Sequence, residues 1–230
     1  MTKTIAVLNQ KGGAGKTTIA TNIAHALVRD GFATLLVDAD PQGSLRDWNA
    51  VNGGELLPVV RLDRESLAKD LANIADGYDF VVIDGAPQIA KLSVAAVKAA
   101  DLVLIPVQPS PYDIWACADL IDILEARREI TDGKPKAAFL ISRAIRNTKL
   151  SVEIVEALNT YDIPILNAHT TQRVIYPTAA AEGGTVFSID PKGPAAREII
   201  AIQRELMEVL HDTDHETRPP RHRAEASGTR

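Results

Sequence analysis

Asn9-Gln10-Lys11-Gly12-Gly13-Ala14-Gly15-Lys16-Thr17-Thr18 follows the apolar residues 5–8 and precedes a helical pattern over residues 19–27. A strand, a glycine-rich loop and a helix in this order form the context in which a phosphate-binding loop is found. Glycines lack a Cβ atom, so successive backbone N–H groups can turn inward around an anion. The helix that begins near Gly15 directs the positive end of its dipole to the same place. The stretch therefore predicts a phosphate-binding loop.

The start of this loop departs from the usual pattern G-x-x-x-x-G-K-T. Gln10 stands where the first glycine is expected, and Lys11 is a second lysine beside the expected Lys16. We expect Lys16 to reach the β- and γ-phosphates and the Thr17 hydroxyl to bind a magnesium ion. Phosphoryl transfer spreads negative charge over the phosphoryl oxygens, so a cation from a second subunit would lower the barrier. Lys11 is the candidate for that cation, since it is not needed to build the loop.

The bulk composition is that of a globular protein. The chain has 230 residues, 46% of them apolar, and a formal net charge of −5, which argues against a protein that is basic all over. No apolar run approaches the roughly 18 residues of a membrane span, and residues 1–4 lead directly into a strand, which predicts no signal peptide. The single cysteine, Cys117, excludes an intramolecular disulfide and is compatible with a reducing cytoplasm. We therefore expect a cytoplasmic protein.

Short apolar runs alternate with helical periodicity along the chain. Several runs lack polar alternation, which is typical of strands buried on both faces of a parallel sheet. The predicted strands are residues 4–8, 34–38, 57–61, 80–84, 101–107, 137–142 and 163–166, and the predicted helices are residues 16–30, 64–76, 90–99, 113–131, 149–160 and 193–211. This order predicts an α/β fold with a doubly wound, mostly parallel sheet flanked by helices. We expect one domain over residues 1–212 and a disordered polar and basic tail over residues 213–230.

Carboxylates end two of the predicted strands. Asp38 and Asp40 lie two residues apart and should project to the same side, where one could hold a magnesium-bound water and the other could orient the attacking water. The alternative is that both only cap the turn before Pro41. Asp84 ends the run Phe80-Val81-Val82-Ile83-Asp84 and is a Walker B candidate for magnesium, with residues 85–87 as a possible switch segment. Parallel strands place such residues at one edge of the sheet.

Taken together, these stretches resemble the deviant Walker ATPases of the ParA/MinD family. The resemblance is carried by Lys11-Gly12-Gly13-Ala14-Gly15-Lys16-Thr17-Thr18, Asp38-Ala39-Asp40-Pro41-Gln42 and Asp84-Gly85-Ala86-Pro87. Two further segments are similar to the small partition ATPases of the ParF type: Ile105-Pro106-Val107-Gln108-Pro109-Ser110-Pro111 and Thr171-Gln172-Arg173. The similarity covers about residues 3–211 and implies a P-loop NTPase of the deviant Walker (SIMIBI) type.

The resemblance implies roles for individual residues. It implies ATP and Mg²⁺ as cofactors, bound by Lys11, Gly12, Gly13, Ala14, Gly15, Lys16, Thr17 and Thr18. Lys11 would reach across an ATP-dependent homodimer to the partner's phosphates, and we expect Lys11→Ala to abolish dimerisation and hydrolysis. Asp40 would position the hydrolytic water. Thr17, Asp40 and Asp84 would lie at the metal.

The resemblance also implies a cellular function. Partition ATPases of this kind bind DNA non-specifically as ATP dimers and are released when an adaptor similar to ParB stimulates hydrolysis. The chain would then be a nucleoid-associated ATPase that segregates plasmid or chromosome DNA. Residues 127–149 carry seven basic residues against Glu129 and Asp132, a local excess that would attract phosphates without reading bases. The candidate DNA contacts are Arg127, Arg128, Arg143, Arg146, Lys149, Arg173 and Arg204.

Several alternatives remain open on the sequence. Relatives position protein bodies such as carboxysomes or chemoreceptor clusters with the same ATPase, and nothing in these residues separates that cargo from DNA. A MinD-like membrane-associated ATPase would need an apolar helix face free for lipid. A ligase of the dethiobiotin-synthetase type would use the glycine loop without Lys11. The resemblance implies an adenine pocket near residues 141–143 and 189–191.

Overall fold

Six parallel strands form one sheet. The computed structural model describes residues 1–87, 89–145 and 150–211, with the side chains of residues 150–153 outside that description. The strands are β1 (Lys3–Val7), β2 (Thr34–Asp38), β3 (Val59–Arg61), β4 (Phe80–Asp84), β5 (Leu102–Val107) and β6 (Lys136–Ile141). They pair in the order β3-β2-β4-β1-β5-β6, and every pairing is parallel. The predicted fold class is confirmed.

Helices connect these strands and cover both faces of the sheet. They are α1 (Lys16–Arg29), α2 (Ser44–Val51), α3 (Leu67–Ile74), α4 (Ala90–Ala99), α5 (Pro111–Trp115), α6 (Ala118–Glu129), α7 (Leu150–Leu158), α8 (Ile175–Ala181), α9 (Val186–Ile189) and α10 (Pro194–His211). Side chains alternate across a strand, so Ile5 and Val7 of β1 face one way and Ala6 faces the other. The first face packs against α1, α2, α9 and α10, and the second against α3 to α7.

The long helix α10 closes the first face. Its apolar stripe recurs at helical spacing and packs against α1 and the sheet. Ile199 and Ile202 are completely buried, and Leu206 and Leu210 are buried to within 5%. Burying side chains of this size contributes about 1.5–3 kcal/mol each relative to exposing them. The apolar face of α10 is therefore buried in the core.

Some predicted elements are wrong. Residues 163–166 do not form a seventh strand: they make a single bridge, Phe139 to Ile165, because Pro164 has no N–H to extend the ladder. The predicted helix over residues 113–131 is two helices. Between them the Cys117 N–H bonds to Ile114 O, and the Asp113 carbonyl accepts the Cys117 thiol instead. The short helices α2, α8 and α9 were not predicted, because few of their residues are apolar or their length is too small to show a period.

The sheet order places the glycine loop at a switch point of the topology. β1 lies between β4 and β5, so the loop after β1 has the ends of two neighbouring strands beside it. Ligands of open parallel sheets bind in the crevice at such a point, beyond the carboxyl ends of the strands. The predicted tail over residues 213–230 lies outside the described residues.

Candidate active site

The backbone of the loop between β1 and α1 depends on two glycines with positive φ. Gly13 has φ +78° and Gly15 has φ +91°, a region that residues with a Cβ rarely adopt. A Cβ built at either position would meet no atom within 4 Å, so the backbone angle, and not lack of space, requires glycine. Gly15 is the N-cap of α1, whose first free N–H groups therefore open into the loop.

Side-chain donors hold three carbonyl groups of this loop. The Gln108 amide donates to Gly13 O at 2.7 Å, the Ser142 hydroxyl to Ala14 O at 3.2 Å, and Lys16 Nζ to Lys11 O at 3.2 Å. A carbonyl that is bonded to an outside donor does not turn toward a bound phosphate, which leaves the N–H groups to line the cradle. Gln108 and Ser142 follow β5 and β6; Gln108 was not predicted as a site residue, and Ser142 was expected only at the adenine pocket.

Asp84 lies at the base of the loop and has an unpaired oxygen. Thr17 Oγ1 donates to Asp84 Oδ2 at 2.6 Å, whereas the buried Asp84 Oδ1 has no hydrogen-bond partner among the described residues. Burial is the main cause that raises the pKa of Asp84 to about 7, and the carboxylates of Asp38 and Asp40 act in the same direction. This acid is short of positive charge, so the residues fit a hydrated Mg²⁺. Within the described part of the chain, no three His, Cys, Asp or Glu side chains could hold a metal together.

Lys16 is a cation that interacts electrostatically with Asp84 and Asp40. Its side chain is buried, and this desolvation lowers its pKa, while the carboxylates of Asp84 and Asp40 act in the opposite direction. A lysine in this position gains most from a nearby anion, because a buried charge without a partner is costly. The site therefore favours a ligand that brings several negative charges, such as a chain of phosphates.

Asp38 and Asp40 have different environments, although the sequence treats them as a pair. Asp38 is completely buried, and its Oδ2 accepts hydrogen bonds from Arg46 N at 3.2 Å and Arg46 Nε at 3.0 Å. Burial raises the pKa of Asp38, and the bonds to Asp40 N and to Arg46 oppose that rise. Asp40 binds only the Gln42 N–H at 2.9 Å through its side chain among the described residues. Of the two, Asp40 is the carboxylate available to a water at the phosphates.

The second lysine of the loop points to a different acid. Lys11 Nζ forms an ion pair with Asp113 Oδ2 on α5, and the Asp113 side chain is completely buried. The Lys11 backbone N–H is held by Asn9 Oδ1 at 2.8 Å, and Asn9 Nδ2 donates to Pro106 O at 2.7 Å. Lys11 thus lies at the loop but is bound to the segment that follows β5. Asp113 was not predicted as a site residue.

A cavity of about 540 Å³ opens beside the loop at Gly15 and Thr18. Residues 142–143, 170–174, 176 and 177 line it, so it includes part of the first segment predicted for the adenine pocket, whereas residues 189–191 do not line it. Its far wall is fixed by Glu198, which accepts hydrogen bonds from Thr171, Arg173 and Tyr176. Burial alone would raise the pKa of Glu198, but these bonds outweigh it and the pKa is lowered. The volume of the cavity is in the range of small-molecule and cofactor pockets.

The predicted DNA contacts are dispersed over the molecule. Arg128 is partly buried and donates to Pro135 O at 2.9 Å, and Arg173 is paired with Glu198 at 2.8 Å. Arg143 and Arg204 are exposed, and Arg127 is partly exposed. α6, which carries Arg127 and Arg128, and α10, which carries Arg204, lie on opposite faces of the sheet. Arg146 and Lys149 lie outside the described residues.

The loop, the buried Asp84 and the topology agree with the result of a family comparison. Residues 5–186 match the family described as the CobQ/CobB/MinD/ParA nucleotide binding domain. The chain belongs to this family. The predicted resemblance to ParA/MinD proteins is thereby confirmed. The described helices include none that is both long and apolar enough to cross a membrane.

Members of the CobQ/CobB/MinD/ParA family with known roles resemble the chain over most of its length. The maintenance of carboxysome distribution protein A of Halothiobacillus neapolitanus is 35% identical over 209 residues, which cover 89% of this chain and 96% of that protein. The chromosome-partitioning ATPase Soj of Treponema pallidum is 30% identical, with 90% and 98% covered.

Solved structures of the family share the fold. Apo McdA of Cyanothece superposes with a TM-score of 0.75 at 17% identity and covers 90% of this chain and all of that one. MinD of Pyrococcus horikoshii, solved with Mg-ADP, gives a TM-score of 0.72 at 18% identity, with 92% and 98% covered. At 17% and 18% sequence identity, the structural similarity establishes the fold alone.

Proposed function

We propose that the protein is an ATPase that binds Mg-ATP in the loop of residues 11–18 and hydrolyses it to ADP and phosphate. The observation that carries the proposal is the buried Asp84, whose Oδ1 is unpaired next to Thr17 at the base of the loop. An ATP-binding relative, McdA of Cyanothece, has been solved as a D38A–ATP complex with a TM-score of 0.68. The family and the donor set support the same ligand.

The residues of the site divide the work of phosphoryl transfer. Lys16 neutralises charge on the β- and γ-phosphates, and Asp40 orients the attacking water. Thr17 and Asp84 hold Mg²⁺, which supplies positive charge to the phosphate oxygens when it is bound. Lys11 extends to the phosphates bound by a second copy of the chain, which makes the catalytic site a property of the ATP-dependent dimer.

We further propose that the ATP dimer binds DNA non-specifically and is released when an adaptor protein stimulates hydrolysis. The exposed Arg204 on α10 and Arg143 after β6, together with the partly exposed Arg127 on α6, supply positive charge for phosphate contacts. Turnover coupled to release would move a cargo along the nucleoid. In this proposal the protein acts in the cytoplasm and associates with the nucleoid.

Two cargo classes are consistent with the relatives. The first is a plasmid or chromosome, as the name of the Soj relative suggests. The second is a protein body such as a carboxysome, since two carboxysome distribution proteins are each 35% identical to this chain. Sequence identity is higher to the two carboxysome distribution proteins, at 35%, than to the Soj relative, at 30%, which favours a protein body. The chemistry proposed for the site is the same for both cargo classes. A membrane role has less support, because the apolar face of α10 is buried in the core.

Sedimentation and turnover measurements test the ATPase dimer. We expect the wild type to be monomeric with ADP and dimeric with Mg-ATP, and Lys11→Ala to stay monomeric and inactive. Lys98→Ala, which removes an exposed lysine on α4, is the matched control and should behave as the wild type. We expect Asp40→Ala to dimerise on ATP without turning it over. An active Lys11→Ala monomer would contradict the shared site.

Binding to a DNA fragment of arbitrary sequence tests the second part. Affinity should require ATP and should fall steeply as salt increases, because phosphate contacts release counterions. Binding that is insensitive to salt, or equal with ADP and ATP, would contradict this part. ATP turnover that rises with a small acid substrate, and not with DNA and an adaptor, would instead indicate a ligase.

A further inference from the structure

Asp113 is a buried acid, and only one of its two carboxylate oxygens has a partner among the described residues. Its Oδ2 pairs with Lys11 Nζ, and its Oδ1 has no hydrogen-bond partner among the described residues. The Asp113 side chain is 0% exposed, whereas that of Lys11 is 38% exposed. The acid is therefore fixed inside the protein, while its cation reaches it from the surface.

Removing the cation from such a pair is costly. A buried carboxylate that loses its only charged partner keeps its desolvation penalty without the compensating attraction. The role proposed for Lys11 requires this loss, because the ammonium group must leave its own subunit to reach the partner's phosphates. The backbone of Lys11 stays tied to the end of β5 through Asn9, so the exchange is a movement of the side chain alone.

We propose that Asp113 is a positioning residue that retains Lys11 in its own subunit until ATP is bound by both copies. The phosphates bound by a second subunit offer the negative charge that replaces Asp113. The pair thus raises the ATP concentration at which dimers form and keeps the nucleotide-free chain monomeric. The inference rests on the proposed function, in which Lys11 acts across the dimer.

The geometry of α5 supports a role in control over one in folding alone. The helix has five residues, and it buries the side chain of Asp113 while leaving those of Tyr112 and Trp115 exposed. Gln108, the donor to Gly13 of the loop, lies between the end of β5 and this helix. One segment therefore contacts both the phosphate cradle and Lys11.

The main test is the midpoint of ATP-dependent dimerisation. Asp113→Asn keeps the shape of the side chain and removes its charge, and Asp119→Asn is the control because Asp119 is exposed on α6. Sedimentation velocity with Mg-ATP would give the ATP concentration at half dimerisation. If the ion pair with Asp113 keeps Lys11 from reaching the partner's phosphates, the ATP concentration at half dimerisation should fall by roughly threefold or more in Asp113→Asn. The same concentration should be unchanged in Asp119→Asn. An unchanged or higher midpoint for Asp113→Asn overturns the inference.

A thermal-unfolding cycle without nucleotide tests the pair itself. Lys11→Gln leaves Asp113 buried without its cation, so we expect its Tm to fall by at least about 4 °C. Adding Asp113→Asn to Lys11→Gln should restore most of that loss. Additive effects, or a Tm of Lys11→Gln equal to the wild type, overturn the inference even if Asp113→Asn alone does not fold.

The two proposals fail in different ways. A wild type that stays monomeric at saturating Mg-ATP overturns the proposed function and the regulatory role of Asp113 with it. A wild type that dimerises, combined with an Asp113→Asn midpoint that does not fall, overturns only the role of Asp113.

Discussion

Asp84 shows how a single buried group can oppose folding and serve the ligand. Its pKa is raised to about 7, so the folded, metal-free protein holds the proton more tightly than the unfolded chain does. Stability therefore falls as pH rises through the interval from about 4 to 7, because the unfolded chain releases its proton first. A bound cation would remove that penalty. The loss of stability therefore comes from a residue of the proposed metal site.

Asp84→Asn should separate these two effects. In metal-free protein, we expect the variant to gain stability over the wild type between pH 5 and pH 7.5, on the order of 2 kcal/mol, since it cannot ionise. Mg-ATP hydrolysis should be lost at every pH. Urea unfolding at the two pH values, together with turnover, checks both statements. A difference in stability that does not change with pH would contradict the raised pKa.

Short elements around the site are positioned by hydrogen bonds between side chains and distant backbone groups, which no local pattern reveals. α2 is joined to the turn before α9 by two bonds, Trp48 Nε1 to Gly184 O at 2.9 Å and Asn52 Nδ2 to Gly183 O at 2.7 Å. α1 is joined to α9 by the bond from Val186 N to Asn22 Oδ1 at 3.0 Å. These bonds position α2, which follows Asp38 and Asp40, relative to the phosphate loop.

Gly183→Ala should disturb this junction. Gly183 has φ +66°, and a Cβ there would lie 2.7 Å from Asn52 N. The matched control is Gly31→Ala, because Gly31 has φ +93° with no atom within 4 Å of a Cβ. We expect Gly31→Ala to cost about 1 kcal/mol from the backbone angle and Gly183→Ala about 1–3 kcal/mol more from the clash. Urea unfolding measures both, and equal losses would contradict the steric argument.

Gln108, the residue after β5, donates a hydrogen bond to the Gly13 carbonyl of the loop. Gln108→Ala would release the Gly13 carbonyl, so the peptide could turn toward the phosphates and oppose their binding. We expect KM for ATP to rise roughly 2- to 10-fold, the equivalent of one hydrogen bond, with a smaller change in kcat. Asn73→Ala on α3 removes a comparable exposed amide away from the site and should leave KM unchanged. An unaltered KM in Gln108→Ala would show that the bond does not hold the loop.

At the scale of the molecule, the sheet separates the basic residues into two sets. Arg127 and Arg128 belong to the face that carries α6, and Arg204 belongs to the face that carries α10. The acids Asp122, Glu125 and Glu129 share α6 with its arginines. Charge counting along residues 127–149 therefore overstates how basic any one surface is.

Arg204→Ala and Arg128→Ala should consequently differ in their effect on DNA binding. Arg204 is exposed, so its loss should lower the slope of log affinity against log salt by about 0.9, the contribution of one phosphate contact. Burial lowers the pKa of Arg128, whose Nε bonds to Pro135 O, so its loss should lower Tm and leave the slope unchanged. Salt titrations of both variants with ATP present check this. Equal slopes in the two variants and the wild type would exclude Arg204 from the DNA surface.

The sequence alone predicted the architecture and the phosphate loop. Alternating apolar runs and helical periods determine a parallel α/β sheet, because each strand buried on both faces requires a helix on the return. The loop is also local in the chain, since its N–H groups, its glycines and the start of α1 belong to consecutive residues. Such features can be predicted because no distant contact is needed to form them. Pro164 and the weak patterns of α2, α8 and α9 account for most of the errors.

Only the tertiary structure decided which side chains complete the site. Asp113 meets Lys11 across 102 positions, and Gln108 meets Gly13 across 95, because β5 lies beside β1 in the sheet. The same folding buries Asp38 against Arg46 and leaves Asp40 for water, although both are aspartates at the end of one strand. Local chemistry in the sequence determined that this protein has a phosphate loop with two lysines. The packing of strands determined where the second lysine rests, because burial and pairing depend on neighbours that are distant in the chain.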